Sequence, residues 1–118
     1  MTVFGLTVAA GAAQAGDAAK GKTVFQRCAI CHRVDKDGGN GLGPNLFGVV
    51  GRKAGMVAGF SYSAAMKNSG IVWTAATLDL FLQGPRQMVP GTKMTFVGVA
   101  KPQDRADLIA YLEVATKP

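Results

Sequence analysis

Residues 28–32 read Cys28-Ala29-Ile30-Cys31-His32, and this run holds both cysteines and the only histidine of the chain. The cysteines stand three apart, a spacing that puts them on one face of a helical turn. From that face two thiols can reach the two vinyl groups along one edge of a haem. Each S–H adds across a C=C bond and leaves a thioether. The next residue, His32, then lies over the ring, and neutral imidazole is a good ligand for haem iron. The C-x-x-C-H pattern is therefore a signature of covalent haem attachment. Three other readings compete with it. A thioredoxin-like redox pair needs alternating strands and helices, which the rest of the chain does not offer. A zinc site needs a fourth ligand and usually a second Cys/His pair. A plain disulfide needs no adjacent histidine. The pattern favours haem c on Cys28 and Cys31, with His32 as an iron ligand.

The rest of the composition is compatible with that reading. A chain of 118 residues is the size of one domain, and a domain this small gains from burying a cofactor. Hydrophobic residues at 48% and charged residues at 17% exclude a disordered chain. The 16 glycines predict many loops. Net charge is +6, from 13 Lys and Arg against 7 Asp and Glu, which suits a basic face for an acidic partner. The cations are scattered and no nucleic-acid motif accompanies them, so nucleic acid is not an expected partner.

The first fifteen residues differ from the others. Val3 to Ala10 is uncharged and mostly apolar, and Ala13-Gln14-Ala15 has the small-x-small pattern of a signal-peptidase site. The run is shorter than the ~20 residues a membrane-spanning helix needs. The expected organisation is a secretory leader over 1–15 and one domain over 16–118, in an exported, periplasmic protein. No Lys or Arg precedes Lys20, so the leader lacks a basic start and reads as truncated there.

Helical spacing and caps predict a few helices joined by long loops. Asp17 caps a helix that reaches Cys31, with Val24, Phe25 and Cys28 on one face. A short helix follows Ser61 or Ser63 and stops at Gly70. Thr74 caps another, anchored by Leu78, Phe81 and Leu82 and ended by Gly84-Pro85. Met88 to Val99 reads as extended loop. The last helix covers about Pro102 to Thr116, with Leu108, Ile109, Tyr111 and Leu112 as its apolar stripe. No strand alternation persists, so the expected class is all-α.

With His32 on one side of the iron, the other side takes Met, Lys, Tyr, Cys or nothing. Outside the leader the methionines are Met56, Met66, Met88 and Met94. A lone Met is usually core filler. Met94 stands apart because it ends the stiff turn Pro90-Gly91-Thr92-Lys93-Met94, in a loop able to cross an open haem face.

From Asp17 onward the chain resembles class I cytochromes c, of the mitochondrial and bacterial c2 type. The resemblance is carried by Cys28–His32, Gly43-Pro44-Asn45-Leu46, Gly51-Arg52-Lys53, Gly59-Phe60-Ser61-Tyr62, Gly70-Ile71-Val72-Trp73, Pro90–Met94 and Arg105–Leu112, in that order. It implies the cytochrome c fold, three to five helices wrapped around one haem. It also implies roles for single residues. Met94 is the axial sulfur ligand. The Pro44 carbonyl accepts the second ring N–H of His32. Tyr62 and Trp73 donate to a buried haem propionate, with Arg52 nearby, and Thr92 steadies the Met94 loop. Gly21 and Phe25 pack the first helix on Leu108 and Tyr111. Phe81, Met66 and Met88 depart from the mitochondrial pattern, which has tyrosine, asparagine and tyrosine there.

The function this resemblance implies is single-electron transfer between larger redox proteins, not enzymatic catalysis. Expected partners have acidic docking faces: a bc1-type complex, a terminal oxidase or a photosynthetic reaction centre. Arg27, Arg86, Lys93 and Lys101 would ring the exposed haem edge. A haem peroxidase or ligand sensor needs an open iron face and a distal acid-base group, and neither Met94 nor the single histidine suits that alternative.

Overall fold

The structure is a computed structural model that describes residues 15–118. Apart from Ala15, the expected leader lies outside these residues. Among these residues there are five α-helices: α1 (Ala18–Val24), α2 (Ala64–Lys67), α3 (Ala75–Gln83), α4 (Pro85–Met88) and α5 (Pro102–Ala115). Among the described residues there is no strand. An isolated antiparallel bridge joins Lys53 to Val72, and no helix among the described residues is long and apolar enough to cross a membrane.

Local chemistry accounts for the helix boundaries. The Asp17 carboxylate accepts from the amides of Ala19 and Lys20 at 2.9 and 3.2 Å, which satisfies two unpaired donors at the start of α1. Ser63 caps α2 through the amide of Met66. Thr74 and Thr77 form a reciprocal capping box at α3.

Two of the expected elements change form and one helix is added. The first helix is α-helical only to Val24, tightens into a 3₁₀ turn over Phe25–Arg27, and continues as turns through the cysteines. The helix after Ser63 ends at Lys67, three residues short of Gly70. The Gly84-Pro85 pair ends α3 and also starts α4, a helix not anticipated. The fixed φ of proline suits a first helical position, where its missing N–H costs nothing. The amides of Gln87 and Met88 both return to the carbonyl of Gly84.

The main packing contact is α1 against α5. Gly21 lies directly on the α5 backbone: a β-carbon there would overlap the Asp107 carbonyl and lie 2.8 Å from Tyr111 Cβ. The approach lets Val24 and Phe25 bury beside Leu108, Ile109 and Leu112. Phe25 and Tyr111 stack at 5.3 Å, with the planes inclined at 44°. The expected stripe on α5 is thus buried except for Tyr111, which is half-exposed.

Two charged residues of α5 are buried as well. Arg105 donates to Asp79 at 2.8 Å and to the carbonyls of Val99 and Ala100 at 2.9 and 3.0 Å, so it ties α5 to α3 and to the loop between them. Asp107 accepts from the Asp17 amide at 2.8 Å and from Gln103 Nε2 at 2.9 Å, which anchors the start of α1 to α5.

Gly21→Ala gains about 1 kcal/mol of helix propensity. It also presses a methyl group into backbone that cannot rotate away, and overpacking of this kind costs about 1–3 kcal/mol or more. The clash should win. Denaturant unfolding of the variant is expected to show a lower midpoint at unchanged m-value.

The Asp107 carboxyl stands below the ordinary carboxylate range. The main cause is the Asp17 amide; Gln103 and the charge of Lys20 act the same way, and burial opposes them. A lowered folded-state pKa contributes stability that is complete above the unfolded value of about 4 and is lost as pH falls through the lower folded value. Asp107→Asn should flatten that acid limb, read as melting temperature between pH 2 and 6.

Candidate cofactor site

The 3₁₀ turn that ends the first helical segment carries the chain straight into Cys28, whose amide bonds to the Phe25 carbonyl at 2.7 Å. The amides of Cys31 and His32 return to the Cys28 carbonyl at 3.0 and 2.9 Å. The C-x-x-C-H run is therefore a continuation of helical turns, as its spacing predicts. Neither cysteine is in a disulfide. Burial pushes the Cys28 thiol up to about 11, with Arg27 pulling it back and Cys31 adding to the rise, so at neutral pH it is a protonated thiol. Among the described residues no three His, Cys, Asp or Glu side chains gather in a way that could hold a metal ion.

His32 is oriented from its far side. Its Nδ1 lies 2.8 Å from the Pro44 carbonyl oxygen. A carbonyl can only accept, so Nδ1 carries the proton and Nε2 keeps its lone pair. Burial, the largest influence, lowers the imidazole pKa, as does Arg52, while the Pro44 bond opposes them; the ring is thereby favoured neutral. Gly43 explains how the loop comes so close. A β-carbon at that position would stand 2.6 Å from His32 Cε1, 2.9 Å from Nδ1 and 3.0 Å from Nε2. The glycine lets the backbone lie flat against the imidazole.

The Pro44 turn is itself clamped. Asn45 is buried and uses its whole amide: Nδ2 donates to the carbonyls of Asp35 and Gly39, and Oδ1 accepts from the amide of Phe47. Arg52 donates to the carbonyls of Phe47 and Asn45 at 2.8 and 3.1 Å. Asn45 and Gly43 belong to the quoted run 43–46, but neither role follows from spacing. Only the backbone contacts expose them.

Of the expected site residues, Cys28, Met94 and Trp73 meet at one apolar cluster. Cys28, Leu46, Met66, Met94 and Phe96 are half-buried and pack against the core cluster that contains Trp73 and Phe81. Thr92 Oγ1 accepts from the Met94 amide at 3.2 Å, so the hydroxyl steadies the loop that presents the sulfur. Lys93 Nζ reaches the Ser61 carbonyl at 3.2 Å and so fastens the same loop to the Tyr62 segment. Tyr62 Oη accepts from the Val57 amide at 3.1 Å and keeps its own proton to donate. Trp73 is buried against Phe81, with ring centroids 5.0 Å apart. Its indole N–H has no protein partner among the described residues, which is costly for a buried donor.

These observations fit a flat, largely apolar group with acidic substituents. Free thiols lie on one turn beside an imidazole whose Nε2 is unprotonated. Half-buried apolar side chains form the lining, and a buried donor awaits an acceptor.

Comparison with known proteins agrees. Residues 18–115 match the cytochrome c family model. The chain is 55% identical over 107 residues to cytochrome c2 of Rhodomicrobium vannielii, covering 91% of this chain and 86% of that one. It is 53% identical over 102 residues to cytochrome c of Gossypium barbadense, covering 86% and 92%. Among solved structures, cytochrome cH from Methylobacterium extorquens superposes with a TM-score of 0.79 at 46% identity, over 83% of this chain and 98% of that one.

Gly43→Ala should force the imidazole off the Pro44 carbonyl. The expected result is a loss of about 1–3 kcal/mol in denaturant unfolding of the haem-loaded protein, together with a changed haem absorption spectrum. An unchanged spectrum at native stability would show that the ring has room that the contacts deny.

Proposed function

Since the chain belongs to the cytochrome c family, and so is an electron-transfer protein with haem c on Cys28 and Cys31, we propose that His32 and Met94 fill both axial positions of its iron. When bound, haem supplies an iron that cycles between ferrous and ferric states; methionine–histidine ligation raises its potential. The observation that carries this reading is the His32–Pro44 bond, which leaves Nε2 as the one lone pair on that ring free to bind metal.

The other residues hold and insulate the group. Trp73 and Tyr62 offer N–H and O–H donors to propionate oxygens, and Arg52 sets a positive charge beside them. Burial lowers the guanidinium pKa, but arginine remains cationic in proteins. Thr92 and Lys93 restrain the Met94 loop, so the ligand set stays in place as the iron changes charge. Ala29 and Ile30, between the two cysteines, are exposed, Ile30 at 75%. The attachment turn thus faces solvent, which gives electrons a short way out.

The proposed partners are redox proteins with acidic docking faces, of the bc1, terminal oxidase or reaction-centre type, met in the periplasm. Arg27, Arg86, Lys93 and Lys101 are all exposed and would steer the encounter. Arg27 shares its charge with Asp104 at 3.8 Å, an exposed pair too weak to withhold it from a partner.

Carbon monoxide tests the ligand set, because it needs an open ferrous position. The native ferrous spectrum should be unchanged by the gas, and Met94→Ala should form the adduct. Ready binding by the native protein would refute the six-coordinate reading.

A further inference from the structure

Asn40 lies on an exposed loop and no motif marks it, yet its side chain joins two separate segments. Oδ1 accepts from the amide of Asn45 at 2.8 Å, and Nδ2 donates to the carbonyl of Ala58 at 3.2 Å. The partners fix the orientation of the amide: an N–H must face the oxygen and a carbonyl must face the nitrogen. The N–H of Asn45 and the C=O of Pro44 are the two ends of one planar peptide group. That carbonyl receives the Nδ1 proton of His32 at 2.8 Å. A continuous line therefore runs from Asn40 Oδ1, through the Asn45 N–H and the Pro44 C=O, to the imidazole.

Hydrogen bonds in such a line polarise one another, by roughly 10–30% per bond. A peptide whose N–H is donated carries more negative charge on its oxygen. That oxygen draws the Nδ1 proton harder and leaves more electron density at Nε2. We propose that Asn40 is a positioning residue that tunes His32 through the Pro44–Asn45 peptide, making the imidazole a stronger donor than the Pro44 carbonyl alone would. The proposal rests on His32 being the iron ligand. Stronger donation favours the electron-poor ferric state, so Asn40 lowers the reduction potential. The clamps on Asn45 from Asp35, Gly39, Phe47 and Arg52 keep the peptide still enough to transmit the effect.

The simpler role for Asn40 is a staple between its own loop and Ala58. Two variants of the haem-loaded protein separate the roles. Asn40→Leu and Asn40→Asp both lose the donation to Ala58, so a staple predicts shifts in the same direction. In a relay they differ, because leucine removes the acceptor and aspartate substitutes a charged, stronger one. The His32 Nδ1 proton resonance of the ferrous protein should move upfield in Asn40→Leu and downfield in Asn40→Asp. The reduction potential should rise in the first and fall in the second. Potentials are compared at 1 M salt, where screening within about 3 Å suppresses the direct field of an exposed carboxylate. Shifts of one sign, or none, with the low-spin spectrum intact would overturn the relay. Failure of the underlying reading shows elsewhere, in the native protein: the His32 ring protons would lack the large ring-current displacement of a haem ligand.

Discussion

α1 can lie on the backbone of α5 only because Gly21 has no side chain, and the position of the site follows from that approach. Cys28, Cys31 and His32 are the direct continuation of α1, about two to three turns beyond the crossing. They inherit its placement through the 3₁₀ turn at Phe25–Arg27. The crossing is held by more than apolar packing. Asp107 takes the amide at the start of α1, and Arg105 binds α5 to Asp79 and the Val99–Ala100 loop. A disturbance at Gly21 would reach the thiols and the imidazole through the end of α1 and the turns that follow it.

The second half of the site comes from loops, and loops hold position through polar contacts that apolar helices do not need. The His32 side depends on Asn45 and Arg52, which together occupy four carbonyls and one amide around the Pro44 turn. The Met94 side depends on Thr92 and on Lys93 reaching Ser61. Both sets act on backbone groups, so they fix the path of the chain as well as the pose of one side chain. In the ligation proposed for this electron carrier that arrangement has a clear use: ligands that move little between the two iron states would add little reorganisation to each transfer.

Phe81 shows how a departure from the family pattern is accommodated. The resemblance implies a tyrosine there; the structure buries phenylalanine edge-on against Trp73. Met66, which takes the place of an asparagine, is also half-buried and packs on the same cluster. Both changes leave the lining more apolar, so the proposed reading leaves the polar duties of the site to Tyr62, Trp73 and Thr92.

Much of this was legible in the sequence because it is local. The attachment pentapeptide, the Asp17, Ser63 and Thr74 caps and the stripe on α5 depend on residues within a turn or two of each other, and spacing alone reveals them. Met94 stood out only as the end of a stiff turn, and the family resemblance implied the ligand role proposed for it. What only the tertiary structure decided lies between residues far apart in the chain. The Gly21 contact with Asp107, the burial of Arg105 and Asp107, the flat approach of Gly43 to His32 and the bridge from Asn40 to Ala58 all pair segments that no local pattern connects. Sequence periodicity records which face of a helix is apolar; it does not record which backbone carbonyl will need a donor once loops are folded over one another. Such demands arise from burial itself, because an unpaired polar group costs about 1–3 kcal/mol when water is excluded, and they are met by whichever side chain the fold brings within reach.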